Sequence, residues 1–166
     1  MQKPTLYLET TIIGYLTNWP SSNITVESHR QVTHRWWNEH RDAYDLLISQ
    51  MVVDEISEGD PTAIAERLAL IEGLPLLPID SAIASTASEL VQIHALPPKA
   101  LRDAIHISVC GHHNIAFLLT WNCTHIANPH ILRLIRRHFG SANLSMPEVT
   151  TPEGLLGGQI NAGSSS

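Results

Sequence analysis

Four oxygen-bearing side chains, Glu9, Glu55, Asp103 and Asn122, stand beside apolar stretches in separate parts of the chain. Glu9 closes the segment TLYL within TLYLETTIIGYL, where an unpaired buried carboxylate would cost several kcal/mol or shift until neutral. Asn122 directly follows AFLLTW. Asp103 lies in LRDAIHIS, and its apolar neighbours Ala104, Ile105 and Ile107 turn it toward a sheet edge rather than open water. Glu55 lies in VVDEISEG with Asp54 and Glu58 as competing acids; an apolar i, i+3 pattern sets Glu55 nearer the preceding strand. Brought together without a cation, three carboxylates repel. Magnesium and manganese take oxygen ligands of this kind, so this reading has Glu9 share a metal with Asp103. Spacing alone leaves a second reading open: surface carboxylates and helix caps.

The elements that must position these groups alternate. Short apolar strands are expected at TLYL (5–8), AYDLLIS (43–49), LPLLPI and IAFLLTW (115–121), with a last edge strand in PEVTTPEGLL. Helices are expected from TIIGYLT, over 25–42 with Val32, Trp36 and His40 at helical spacing, and in QMVVDEISEGD up to Gly59. Others follow Asp60–Pro61 and Asp80 or Ser81, which read as caps. The helix PKALRDAIHISVCGHHN has Leu101, Ile105, Ile107 and Val109 mostly inward, and PHILRLIRRHFG ends at Gly140. This alternation predicts an α/β fold with a mainly parallel sheet, in which sites form at the carboxyl ends of strands near a switch in strand order.

The chain has 166 residues, which is most simply one domain over 1–156, followed by a Gly/Ser/Asn-rich tail over 157–166. No apolar run is long enough for a transmembrane helix and no leader pattern opens the sequence, so a cytoplasmic protein without a membrane partner is expected. The formal net charge of −6 argues against nucleic-acid binding by bulk electrostatics, but allows a locally basic surface and suits a site for divalent cations. The two cysteines, Cys110 and Cys123, are too few for a four-cysteine zinc site. Together with His112, His113 and His125 they match no established zinc-finger spacing and read as packing cysteines and a helix-end histidine pair.

The strings YLETTIIGYL, VVDEISEG, KALRDAIHIS and LLTWNCTHIAN, in that order, resemble the PIN domain, and more closely the VapC-type toxin ribonucleases of bacterial toxin–antitoxin pairs. The resemblance covers roughly residues 4 to 155, and DAIHIS followed by LLTWN-x-x-HIAN is its most specific part. It implies a three-layer α/β fold and a magnesium- or manganese-dependent endoribonuclease that leaves a 5′-phosphate and a 3′-hydroxyl. The family's first acid, usually Asp, is here Glu9, followed by Thr10 and Thr11; its second is Glu55, its third Asp103, and its Asp-or-Asn fourth position Asn122. The roles implied are Glu9 and Asp103 as main metal ligands, and Glu55 as a ligand through water or the group that orients the attacking water. Asn122 would hold a water or phosphate oxygen, and Thr11 a ligand carboxylate or the substrate. Glu9 for Asp and the uncharged Asn122 leave one- against two-metal chemistry open.

Further residues carry two readings each. His106 is a core or supporting histidine, or it orients Asp103. Trp36 and Trp37 serve the core and a partner groove, which in this family receives the antitoxin, or they stack on bases. Arg133 and Arg136, with Arg137 and His138, meet the RNA backbone or form a solvated helix face. The family resemblance implies a cognate antitoxin, an RNA substrate and a homodimer. A competing function is a non-catalytic PIN-like module that binds RNA or protein. A small-phosphate hydrolase is disfavoured, because no Gly-rich phosphate loop or Asp-x-Asp pair is present.

Overall fold

The computed structural model describes residues 2–160. Strand β1 (Thr5–Leu8) leads into helix α1 (Thr10–Thr17) and the long helix α2 (Ile24–His40). Then come β2 (Asp45–Ser49), α3 (Gln50–Ile56), α4 (Pro61–Ile71), β3 (Leu76–Leu77) and α5 (Ser81–Gln92). The chain continues through α6 (Leu101–His112), β4 (Phe117–Leu119), α7 (Pro129–Ser141), β5 (Glu148–Thr150) and α8 (Pro152–Ile160).

The strands form one parallel sheet in the order β3-β2-β1-β4-β5, flanked by helices. The fold expectation therefore holds. The chain builds outward from β1 through β2 to β3, then returns to the other side of β1 for β4 and β5. The order reverses between β1 and β4, where Leu6, Tyr7 and Leu8 pair with Phe117, Leu118 and Leu119. A strand with neighbours on both sides and helices on both faces must be apolar throughout. Leu6, Tyr7 and Leu8 are accordingly all 0% exposed. The core spreads from them to Ile12, Ile13, Trp36, Ile107, Leu118 and Phe139.

Side-chain caps start the helices where short polar residues precede apolar periodicity. Asn23 accepts from Val26 N at 3.1 Å, Asp60 from Ala63 N at 3.0 Å with Pro61 at the first helical position, and Asp80 from Ile83 N at 2.9 Å. Asp80, not Ser81, is thus the cap of α5.

Four local expectations are corrected. The helix expected over 25–42 ends at His40 and tightens into a 3-10 turn, Arg41–Ala43. The third strand has only two residues, because Pro75 and Pro78 flank it and lack ladder donors. Leu101 is 41% exposed, because it opens α6 at the rim of the core. The edge strand stops at Thr150 and α8 follows, with Thr151 Oγ1 accepting from Gly154 N at 3.3 Å. Helix α8 extends through Ile160, so the tail expected over 157–166 lies outside the described residues from 161 onward. No helix among the described residues is long and apolar enough to cross a membrane.

Candidate metal centre at the switch between β1 and β4

Glu9 stands where β1 ends. Its backbone N–H still donates to Leu119 O at 3.1 Å, continuing the pairing with β4, while its side chain caps α1. The residue is only 3% exposed. Three donors meet its carboxylate: Thr11 Oγ1 at 2.5 Å and Thr120 Oγ1 at 2.6 Å on Oε1, and Thr11 N at 3.2 Å on Oε2. A buried carboxylate is tolerable only with such partners.

Glu55 arrives from α3, just beyond β2. Its Oε1 accepts from Thr10 Oγ1 at 2.7 Å and lies 2.5 Å from His106 Nε2. Asp54, the competing acid, is exposed and bonded to Gln50 at 2.8 Å. Burial pushes the Glu55 carboxyl upward, but the His106 hydrogen bond and charge, then Thr10 and Arg102, outweigh it and hold the group below its ordinary range. His106 is fully buried on α6, and its Nδ1 lies 2.6 Å from the Tyr7 hydroxyl, which lies 2.7 Å from Ser49 Oγ. The reading of His106 as a supporting histidine therefore stands. The alternative that it orients Asp103 does not, because both ring nitrogens are engaged elsewhere.

Glu9, Glu55 and His106 each offer one ligand atom, and these atoms all lie within 4.8 Å of one another. Asp103 lies one helical turn before His106 on α6. Its Oδ2 lies 3.2 Å from His125 Nδ1, and it does not join the Glu9–Glu55 cluster in this arrangement. Asn122 occupies the turn after β4. Its backbone N–H donates to Thr120 Oγ1 at 2.9 Å, and its Oδ1 accepts from His125 N at 3.0 Å. Thr11 Oγ1 also accepts from Trp121 N at 2.9 Å. Thr11 thus bonds the Glu9 carboxylate and the turn after β4 together. Trp121 stacks on His29 with ring centroids 3.9 Å apart and donates Nε1 to Thr33 at 2.8 Å, which pins the turn to α2.

A cavity of about 330 Å³ opens beside Glu55, lined by Thr10, Gly14, Ile56, Glu58 and Arg67. Arg133 and Arg136 are exposed on α7. Trp36 is fully buried, whereas Trp37 lines an open groove under Arg41, 5.0 Å away. The zinc-like set disperses: Cys110 is buried, Cys123 is exposed, His112 meets Thr86 Oγ1 at 2.8 Å and His113 meets Pro78 O at 3.0 Å. Cys123 is thus not a packing residue.

Sequence reasoning missed Tyr7, Ser49, Thr10, Thr120 and His125 as parts of this site. Their visible signal was a polar atom beside an apolar strand end, and it named no partner.

Two carboxylates in close approach, with a third, Asp103, one helical turn before His106 on α6, supply the oxygen donors that a hard divalent cation takes, while the His106 ring, engaged at both nitrogens, supports Glu55. The PIN domain family model matches residues 7–122, the span that contains every one of the four acidic and amide positions. The chain belongs to the PIN domain family, whose members are nucleases that use divalent metal ions.

Two solved structures share the fold. The VapBC2 complex of Rickettsia felis, solved with a DNA fragment from its promoter, is 14% identical with a TM-score of 0.58, over 89% of this chain and 98% of that one. VapC20 of Mycobacterium tuberculosis, described as a sarcin–ricin loop cleaving toxin, is 14% identical with a TM-score of 0.57, over 73% of this chain and 92% of that one. No curated protein matches the sequence.

Proposed function

We propose that this protein is a magnesium- or manganese-dependent endoribonuclease and the toxin of a toxin–antitoxin pair. The observation that carries the reading is the meeting of Glu9, at the end of β1, and Glu55, on the helix that follows β2, within 4.8 Å at the switch in strand order. Glu9, Glu55 and Asp103 would hold the cation. When bound, it supplies charge neutralisation at the scissile phosphate and makes water more acidic.

The protein's own groups do the rest. Thr11 and Thr120 fix the Glu9 carboxylate, and Thr10 and His106 fix Glu55, so neither must reorganise as charge develops. Glu55, held ionised by those donors, orients the attacking water or takes its proton. The Asn122 amide spends its oxygen on the turn and keeps its Nδ2 donors for a phosphate oxygen. Arg133 and Arg136 follow the RNA backbone. The cognate antitoxin docks at the early helices, where Trp37 lines an open groove, and the toxin pairs as a homodimer.

The test is incubation of the purified protein with total RNA and transfer RNA, with manganese or with EDTA. The expected products carry 5′-phosphate and 3′-hydroxyl ends and form only with metal. Induced expression should arrest bacterial growth. A folded protein that leaves RNA intact in every metal would favour the non-catalytic PIN-like module.

A further inference from the structure

The turn after β4 is hydrogen-bonded to one carboxylate at its start and brings His125 up to a second. Thr120 Oγ1 donates to Glu9 Oε1 at 2.6 Å and accepts from Asn122 N at 2.9 Å. Asn122 Oδ1 accepts from His125 N at 3.0 Å, and Asn122 O accepts from Ile126 N at 3.2 Å and Ala127 N at 2.7 Å. His125 Nδ1 then reaches Asp103 Oδ2 at 3.2 Å. The side chains of His125 and Asp103 are 22% and 17% exposed, so the pair is largely shielded from competing water.

An Asn at the end of this strand invites a reading as a ligand whose charge has been lost. The geometry points elsewhere. The one oxygen that could ligate is aimed back at its own turn. An Asn or Asp oxygen that accepts from a backbone N–H three residues ahead fixes that turn, as it does at a helix start. Here the residue it fixes is His125.

We infer that His125 is a positioning residue for Asp103, and that Asn122 serves the metal centre through His125 rather than as a ligand. This rests on the metal-centre reading above. A carboxylate in the first turn of a helix has several rotamers, and ordering it costs entropy each time a cation binds. A ring nitrogen fixed beside Oδ2 removes part of that cost and leaves the other oxygen for the cation. Partners of this kind change metal affinity about 10–100-fold when removed. Trp121, stacked on His29 and tied to Thr33 at 2.8 Å, anchors the same turn to α2, so the position of His125 is set from two sides.

The experiment is manganese binding, followed by electron paramagnetic resonance of the free ion, on folded full-length protein without RNA. His125→Ala should weaken binding about tenfold or more. His125→Asn, whose amide can donate from near the Nδ1 position, should recover most of the loss. Asn122→Ala should resemble His125→Ala. Asn122→Asp keeps the accepting oxygen and should bind manganese like the unmodified protein. The inference is overturned if His125→Ala binds as tightly as the unmodified protein, or if Asn122→Asp binds clearly more tightly, which would mark residue 122 as a ligand. If the unmodified protein itself binds no manganese, the metal-centre reading fails first and this inference with it. Thermal unfolding of each variant, with the Asn replacements as the milder pair, separates loss of the site from loss of the fold.

Discussion

His106 Nε2 lies 2.5 Å from Glu55 Oε1, and the same ring's Nδ1 lies 2.6 Å from the Tyr7 hydroxyl. An ionised carboxylate only accepts, so the Nε2 proton points to Glu55. The Tyr7 hydroxyl bridges Nδ1 and Ser49 Oγ, the latter 2.7 Å away. Burial pushes the Tyr7 phenol well above its ordinary value, so it stays a donor. The central strand therefore sends a hydrogen-bond chain through the core to a site carboxylate. Tyr7→Phe should lower the unfolding free energy by about 1–3 kcal/mol, because two buried polar groups lose their partner. Urea unfolding measures this; unchanged stability would contradict the chain.

Glu55 gives a pH signature in metal-free protein. Its folded value is lowered, mainly because the His106 bond and charge and the Thr10 bond outweigh burial. The stabilisation is then fully present above the ordinary carboxyl value and is lost as pH falls through the lower folded value. The stability advantage of the unmodified protein over Glu55→Gln, in EDTA, should be constant near neutrality and shrink on acidification. Urea midpoints across that range test it, and a gap that widens in acid would refute the assignment.

Helix α6 approaches α7 closely at Gly111. A Cβ there would lie 2.6 Å from Phe139 Cε2, and the Phe139 ring is fully buried. Alanine gains about 1 kcal/mol of helix propensity over glycine, but overpacking in a rigid core costs about 1–3 kcal/mol. Because the ring has no room to retreat, the clash should win, and Gly111→Ala should destabilise. Adding Phe139→Leu should restore part of the loss relative to Phe139→Leu alone, a coupling that a double-mutant cycle reads.

Arg133 and Arg136 are exposed on α7. If they follow RNA phosphates, replacing either by Gln should raise KM with little change in kcat. It should also reduce the salt dependence of binding by about 0.7 in log–log slope per residue. An unchanged slope would return them to the solvated face of a helix.

Much of this architecture was legible in the sequence, for physical reasons that can be named. TLYL had to be a doubly covered strand because it is apolar throughout, and Asp60–Pro61 had to open a helix because the pair supplies a cap and a preset φ. Glu9 stood out because a carboxylate in such a segment needs partners. Which partners it takes was not legible. Thr10 and Thr11 are adjacent, yet Thr10 donates to Glu55 and Thr11 to Glu9. The Thr120–Glu9 bond spans 111 residues and the His106–Glu55 contact 51, distances over which spacing carries no signal. Helix α8 was hidden for a different reason. PEGLLGGQI is poor in helix formers, and packing against α2 overrides that propensity.

The central claim is that separate carboxylates act together as one metal-dependent nuclease site. The most direct measurement is the rate of transfer RNA cleavage in manganese by the unmodified protein, Asp103→Ala and Glu55→Gln, each shown to be folded by circular dichroism. The account predicts cleavage by the unmodified protein that EDTA abolishes, and a loss of at least about 100-fold in both variants, on the scale of removing a group that acts at the transition state. Cleavage by Asp103→Ala at the unmodified rate, or cleavage that persists in EDTA, would contradict it.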